Sequence, residues 1–253
     1  MTIPVCSIVA CVLILASRTL TQSPPNPVLD ANKTAVKEIQ NGNLVHAIQL
    51  LAEAVKRDSK NARIYYDLGS AYFLMRDFGN ARSALSKALE LEPNSAAVLN
   101  QLGLTQMEQG DYSGAVRSFR RAIDVRPDDP ISLYNLGCLY IRTKDFRSAI
   151  ELLERAERLD DTDPEISFNL AFAYGRNGDI PKAIDKARAT LVLPPDDRDT
   201  RGMIVILYLL NKKRTEALKE LHSMEGWGSP IDPWLSRLVF GKRIVSIEDL
   251  RRK

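Results

Sequence analysis

Cysteine is scarce in this chain of 253 residues: there are three, two of them (Cys6 and Cys11) in an apolar amino-terminal stretch and one, Cys138, far beyond it. Removal of that stretch would leave no internal disulfide, so the fold has to rest on packing, with Cys138 expected as a small apolar filler. Histidine is scarcer still. His46 and His222 lie far apart in the sequence, which gives a metal ion no pair of ligands. Among the 13 glycines no G-x-G-x-x-G or phosphate-loop spacing occurs, and neither G-x-S-x-G nor H-E-x-x-H is present. No cofactor, no metal and no catalytic residue are therefore expected.

Charge of one sign is also missing. Lys and Arg number 35 against 32 Asp and Glu, interspersed along the chain, for a net charge of +3. Nucleic-acid binding needs a concentrated basic face. The two short clusters, Lys212-Lys213-Arg214 and Arg251-Arg252-Lys253, read as solvated helix ends, so nucleic acid is not expected as a partner. The one long apolar run, from Ile3 to Ala16, is shorter than the roughly 20 residues of a membrane-spanning helix. It suits the apolar core of an export signal, here residues 1–17, with a proline-rich linker at 18–27. An exported protein, periplasmic or extracellular, is the expectation. If the segment stays uncleaved, residues 3–16 anchor the chain to a membrane, and Cys11 also ends a short lipoprotein-like box.

What the chain does have is a period. Leu68-Gly69, Leu102-Gly103 and Leu136-Gly137 stand 34 residues apart, and Leu170-Ala171 falls on the next beat. Three residues beyond each glycine come Tyr72, Gln106, Tyr140, Tyr174 and, in a weaker copy, Tyr208. Ala81, Ala115, Ala149, Ala183 and Ala217 follow in the same phase, then Leu85, Phe119, Leu153, Ala187 and Leu221. A proline recurs at Pro93, Pro127 and Pro195. The apolar members of each copy fall at three- and four-residue intervals, the spacing of one helix face, and form two sets per period. Asp77-Phe78-Gly79-Asn80, Gly110-Asp111-Tyr112-Ser113 and Gly178-Asp179-Ile180-Pro181 supply turn chemistry between the two helices. Small residues at Gly69, Gly103, Ala81 and Ala115 allow close helix approach. A single 34-residue hairpin cannot bury its own apolar face, so neighbours must stack.

This pattern resembles the tetratricopeptide repeat in both period and residue order. The resemblance implies an all-α fold: a right-handed α-solenoid of stacked antiparallel helix pairs. Repeats are expected at 28–61, 62–95, 96–129, 130–163, 164–197 and 198–231, the first and last atypical because each lacks a neighbour on one side. In the first, Thr34, Ala35 and Glu38 fit the first-helix pattern poorly. Residues 232–253 read as capping helices, with Trp227 and Trp234 covering the exposed end of the core. Paired acids at Asp128-Asp129, Asp160-Asp161 and Asp196-Asp197 recur between units. They suit helix N-caps, with Asp129-Pro130 and Asp163-Pro164 as cap and first turn, rather than acid–base catalysis.

The resemblance further implies a groove lined by the first helices. The sixth place of the repeat reads Asp67, Gln101, Asn135 and Asn169, a column similar to the asparagine ladder that grips an extended peptide backbone. Tyr66, Tyr134 and Phe168 stand beside it at the fifth place as flat apolar contacts, with Asn100 breaking the run. The family's carboxylate clamp is not reproduced, since the corresponding window holds Tyr66, Ser70, Gln101, Ile131 and Asn135. The expected function is a non-catalytic scaffold that binds another protein or an extended peptide. The alternative is an assembly or accessory factor of an exported enzyme complex.

Overall fold

The computed structural model of the protein describes residues 27–190 and 198–226, and these form twelve α-helices with no strand among them. In chain order they are α1 (Pro27–Gln40), α2 (Leu44–Arg57), α3 (Ala62–Leu74), α4 (Phe78–Leu91), α5 (Ala96–Glu108), α6 (Tyr112–Val125), α7 (Pro130–Arg142), α8 (Phe146–Leu159), α9 (Pro164–Asn177), α10 (Ile180–Thr190), α11 (Arg198–Leu210) and α12 (Arg214–Gly226). From α3 on, the odd helices begin at 62, 96, 130, 164 and 198, a constant step of 34, and the even helices keep the same step from 44 to 214. The amino-terminal segment, Pro195, Asp196-Asp197, Trp227, Trp234 and the expected cap at 232–253 lie outside the described residues. No described helix is long and apolar enough to cross a membrane.

The chain divides into two compact units at Leu139 and Tyr140. In residues 27–139, α1 pairs with α2, α3 with α4 and α5 with α6, while α2 packs on α3 and α4 on α5, so each hairpin shares its apolar face with the next. Ala35, Leu51, Ala54, Ile64 and Ala71 join the first hairpin to the second; Leu85, Ala88, Val98 and Leu102 join the second to the third. In residues 140–226, α8 packs on α9, α9 on α10, α10 on α11 and α11 on α12. The protein is an all-α solenoid of stacked helix pairs.

The small residues sit where the helices meet. A Cβ on Gly69 would stand 2.6 Å from Leu85 Cγ, and one on Gly103 would stand 2.5 Å from Phe119 Cε1. Phe119 is fully buried and its ring cannot swing away without opening a void, so Gly103 is required by close approach. Gly137 is buried in α7, and Ala81, Ala115, Ala149 and Ala183 have no exposed surface. Leu102 and Leu136 are buried too, with Leu68 half-buried. Ala35, which fits the repeat poorly on paper, occupies the same small slot with no exposure.

The turns between paired helices follow the expectation at Gly110 and Gly178 and depart from it in the second copy. The left-handed residue of each is Gly42, Arg76, Gly110, Lys144, Gly178 or Lys212, again 34 apart. Gly79 and Asn80, expected to provide the freedom in the second copy, are helical, and Arg76 takes the φ of 60° instead. The residue after the left-handed one is an Asp in four of the six copies, with Asn43 in the first and Lys213 in the last. Asp77 accepts from the Asn80 N–H at 3.1 Å, Asp111 from Gly114 at 2.9 Å and Asp145 from Ser148 at 3.2 Å. These bonds hold the Asp77 and Asp111 carboxyls below the usual carboxylate range. Between units, Asp129 accepts from the Ser132 N–H at 3.1 Å and Asp163 from Glu165 at 2.8 Å, with Pro130 and Pro164 opening the helices.

Cys138 is 2% exposed and lies within the buried run of α7 from Ser132 to Leu139.

Candidate functional site

Helix α5 is buried along almost its whole length, including four polar side chains: Asn100, Gln101, Thr105, whose hydroxyl donates to the Gln101 carbonyl, and Gln106. Gln106 stands where the other repeats carry tyrosine and is satisfied by the hydroxyl of Ser118, which donates to its Oε1 at 2.7 Å. Asn100 and Gln101 differ. Asn100 Nδ2 donates to Ser132 Oγ at 2.8 Å and to Asp129 Oδ2 at 3.4 Å, tying α5 to the capped start of α7, but its Oδ1 has no partner. Gln101 Nε2 is buried without a partner, and so is Asn135 Nδ2 on α7.

These three residues line one shallow recess open to solvent, together with Tyr66, Ala97, Leu104, Arg126, Asp129 and Ile131; its space of about 350 Å³ includes the solvent at its mouth. Its walls come from α3, α5 and α7, the first helices of three consecutive repeats, and from the loop between α6 and α7. Ala97, Leu104 and Ile131 supply apolar wall. Tyr66 is half-buried, packs on the Leu85, Ala88, Val98 and Leu102 cluster, and has its phenol pushed up by burial and then by Asp67. A buried polar atom left unpaired costs about 1–3 kcal/mol, so two amide donors and one carbonyl acceptor on residues of one cavity call for a hydrogen-bonding partner, water or ligand.

The remaining candidates are placed otherwise. Asp67 is 4% exposed, but its oxygens are taken: Arg63 Nε donates to both at 3.0 Å, and Asn32 Nδ2 donates to Oδ2 at 3.0 Å. Burial raises its carboxyl above the usual range, with Arg63 pulling the other way. Tyr134 is 6% exposed and belongs to the core rather than to the cavity wall. Asn169 and Phe168 lie in the other unit; Asn169 Nδ2 donates to the Glu165 carbonyl of its own helix at 2.9 Å, and Phe168 is half-buried. Asn100 and Arg126 were absent from the expected site. Asn100 is in phase with the aromatic column and reads there as an interruption. The described residues hold no cluster of side chains able to bind a metal ion.

Family models for the tetratricopeptide repeat match residues 38–104, 100–164 and 134–198, together more than half of the chain. The chain belongs to the tetratricopeptide-repeat family. It is accordingly a protein–protein interaction scaffold, on a fold that is generally non-catalytic. No curated protein matches it. Among solved structures it is similar to pilF of Pseudomonas aeruginosa, with a TM-score of 0.70 and 19% identity over 79% of this chain and 91% of that one. It is also similar to YrrB, a tetratricopeptide-repeat protein with an unusual peptide-binding site, with a TM-score of 0.61 and 20% identity over 74% and 95%. The Cut9–Hcn1 tetramer of the APC/C aligns with a TM-score of 0.69 and 20% identity over 84% of this chain, which spans only 42% of that one. At these identities the likeness is one of fold.

Proposed function

We propose that this tetratricopeptide-repeat protein binds an extended peptide segment of another protein in a concave groove along its first helices, centred on the cavity between α3, α5 and α7. The observation that carries this is the set of unpaired buried amide atoms, Gln101 Nε2, Asn135 Nδ2 and Asn100 Oδ1, on three residues that line one cavity. A peptide main chain offers both an acceptor and a donor at each residue, which is the complement those atoms lack. Tyr66 provides a flat apolar contact beside them. Peptide binding by the similarly folded YrrB is compatible with this use of the fold. The apolar run from Ile3 to Ala16 supports an exported location, which mass measurement of the mature protein tests through an amino terminus between Ser17 and Pro24.

The direct test uses pools of N-acetylated, C-amidated decapeptides titrated by fluorescence anisotropy. The double variant Gln101→Ala/Asn135→Ala loses two hydrogen bonds worth about 0.5–1.5 kcal/mol each, so binding weakens by roughly one to two decades. Side-chain amide signals of Gln101 and Asn135 shift on titration of the parent. A double variant that binds the same pools as tightly as the parent overturns the reading.

A further inference from the structure

The loop residue at the carboxy-terminal cap of each second helix is acidic in three copies: Asp58 after α2, Glu92 after α4 and Asp160 after α8. After α6 the same position is Arg126, and Arg126 lines the cavity. Its side chain is half exposed, and its ion pair with Asp129 is stretched to 4.0 Å. Asp129 has other work, because its Oδ2 already accepts from the main chain and hydroxyl of Ser132 at the start of α7. The cavity therefore holds a cation that its own acid meets only at the limit of contact.

We infer that this site selects a partner peptide with an Asp or Glu side chain, whose carboxylate is received by the Arg126 guanidinium and the amide donors of Gln101 and Asn135. Two unpaired buried amide donors and an arginine outnumber the one unpaired acceptor, Asn100 Oδ1, and donors plus a cation are the complement of a carboxylate. The first turn of α7 borders the same space through Ile131, and its helix dipole adds positive potential there. A carboxamide would pair with the amides but leave Arg126 unmet; a lysine would face it with like charge. Arg126 sits on the loop at the edge of the first helices, where a side chain leaving an extended main chain arrives, so the source is an internal Asp or Glu and not a chain terminus. The inference rests on the peptide-binding reading of this cavity.

The capped decapeptide pools, with Asp/Glu, Asn/Gln or Lys fixed at each position in turn, separate the two. The parent binds the best acidic pool about tenfold more tightly than its amide counterpart, as a charge-assisted hydrogen bond exceeds a neutral one. Arg126→Ala removes that preference, and Arg126→Glu turns it toward Lys. Both keep the main-chain bond from the residue 126 N–H to the Ala122 carbonyl, and circular dichroism checks the fold; if Arg126→Glu unfolds, Arg126→Gln makes the same comparison. Equal binding of acidic and amide pools by the parent overturns the inference while leaving peptide binding standing. So does an acidic preference that survives Arg126→Ala, or one that appears only when the pools carry a free carboxy terminus. Failure of every pool to bind the parent sinks the peptide-binding reading and this inference with it.

Discussion

The unit at residues 27–139 leaves polar atoms open, whereas the unit at 140–226 closes its own. In the first, Gln101, Asn135 and Asn100 each bury an atom without a partner, as does Asn32. In the second, Asn169 at the same repeat position as Gln101 and Asn135 turns its amide onto the Glu165 carbonyl. Around it Tyr174 donates to Glu154, Ser167 and Lys186 both reach Glu157, and Arg201 donates to Glu220 at 2.6 Å. No orphaned side-chain atom among the described residues lies in that unit. The same position in the repeat can thus either hold a ligand-seeking amide or serve the fold.

The largest test of that contrast inverts stability. Because each orphaned amide costs about 1–3 kcal/mol, Gln101→Met and Asn135→Leu should each raise the thermal midpoint and the urea midpoint while weakening peptide binding. Asn169→Leu should do the reverse to stability, since it removes a satisfied bond, and leave binding unchanged. If all three substitutions destabilise alike, the two units do not differ in the way described.

Next comes the packing of α5 on α6. Gly103→Leu forces a side chain into the Phe119 ring, and overpacking costs about 1–3 kcal/mol. Phe119→Leu combined with it should recover part of the loss, because the two share one contact. Additive losses in the double variant would show that the contact is not shared.

A smaller effect belongs to the turns, which both units have in common. Lys144 and Gly178 take the same left-handed place in successive copies, with φ of 65° and 99°. An L side chain there costs about 1 kcal/mol, so Lys144→Gly should stabilise and Gly178→Ala destabilise, each by about that amount. Denaturant midpoints of the two variants moving in the same direction would contradict it.

Much of the fold was legible because period, small residues and cap acids are local signals that repeat in phase; Gly103 and the Asp77, Asp111 and Asp145 caps needed no tertiary knowledge. The left-handed Arg76 and Lys144 were not, since the stacked helices impose that conformation on residues that would not choose it. Gln101 and Asn135 could be singled out from their shared register, but register alone does not say which amides find partners. Asp67 is taken by Arg63 and Asn32, and Asn169 by its own helix. Tyr134 is core for a similar reason, as neighbouring helices decide what a fifth-place ring touches. Arg126 did leave a sequence trace, a basic residue in phase with Asp58, Glu92 and Asp160, yet its meaning depends on the cavity beside it.

The smallest expected effect concerns Asp67, the sixth-place residue that opens the column in the first unit. Burial raises its folded-state carboxyl above the unfolded value of about 3.9, against the pull of Arg63. The folded state then binds the proton more tightly. Its contribution to stability is fully present below the unfolded value and is lost as pH rises through the folded one. The exposed caps Asp77 and Asp111 have the opposite sign: their carboxyls are lowered, and their contribution is lost as pH falls. Urea titrations of the parent and Asp67→Asn across the acid range isolate the Asp67 part, and the stability of the parent minus that of the variant should fall as pH rises through the raised value. A difference that grows with pH would mean that Arg63 and Asn32 outweigh burial, so that the closed end of the column is held by a favourable ion pair and not merely tolerated.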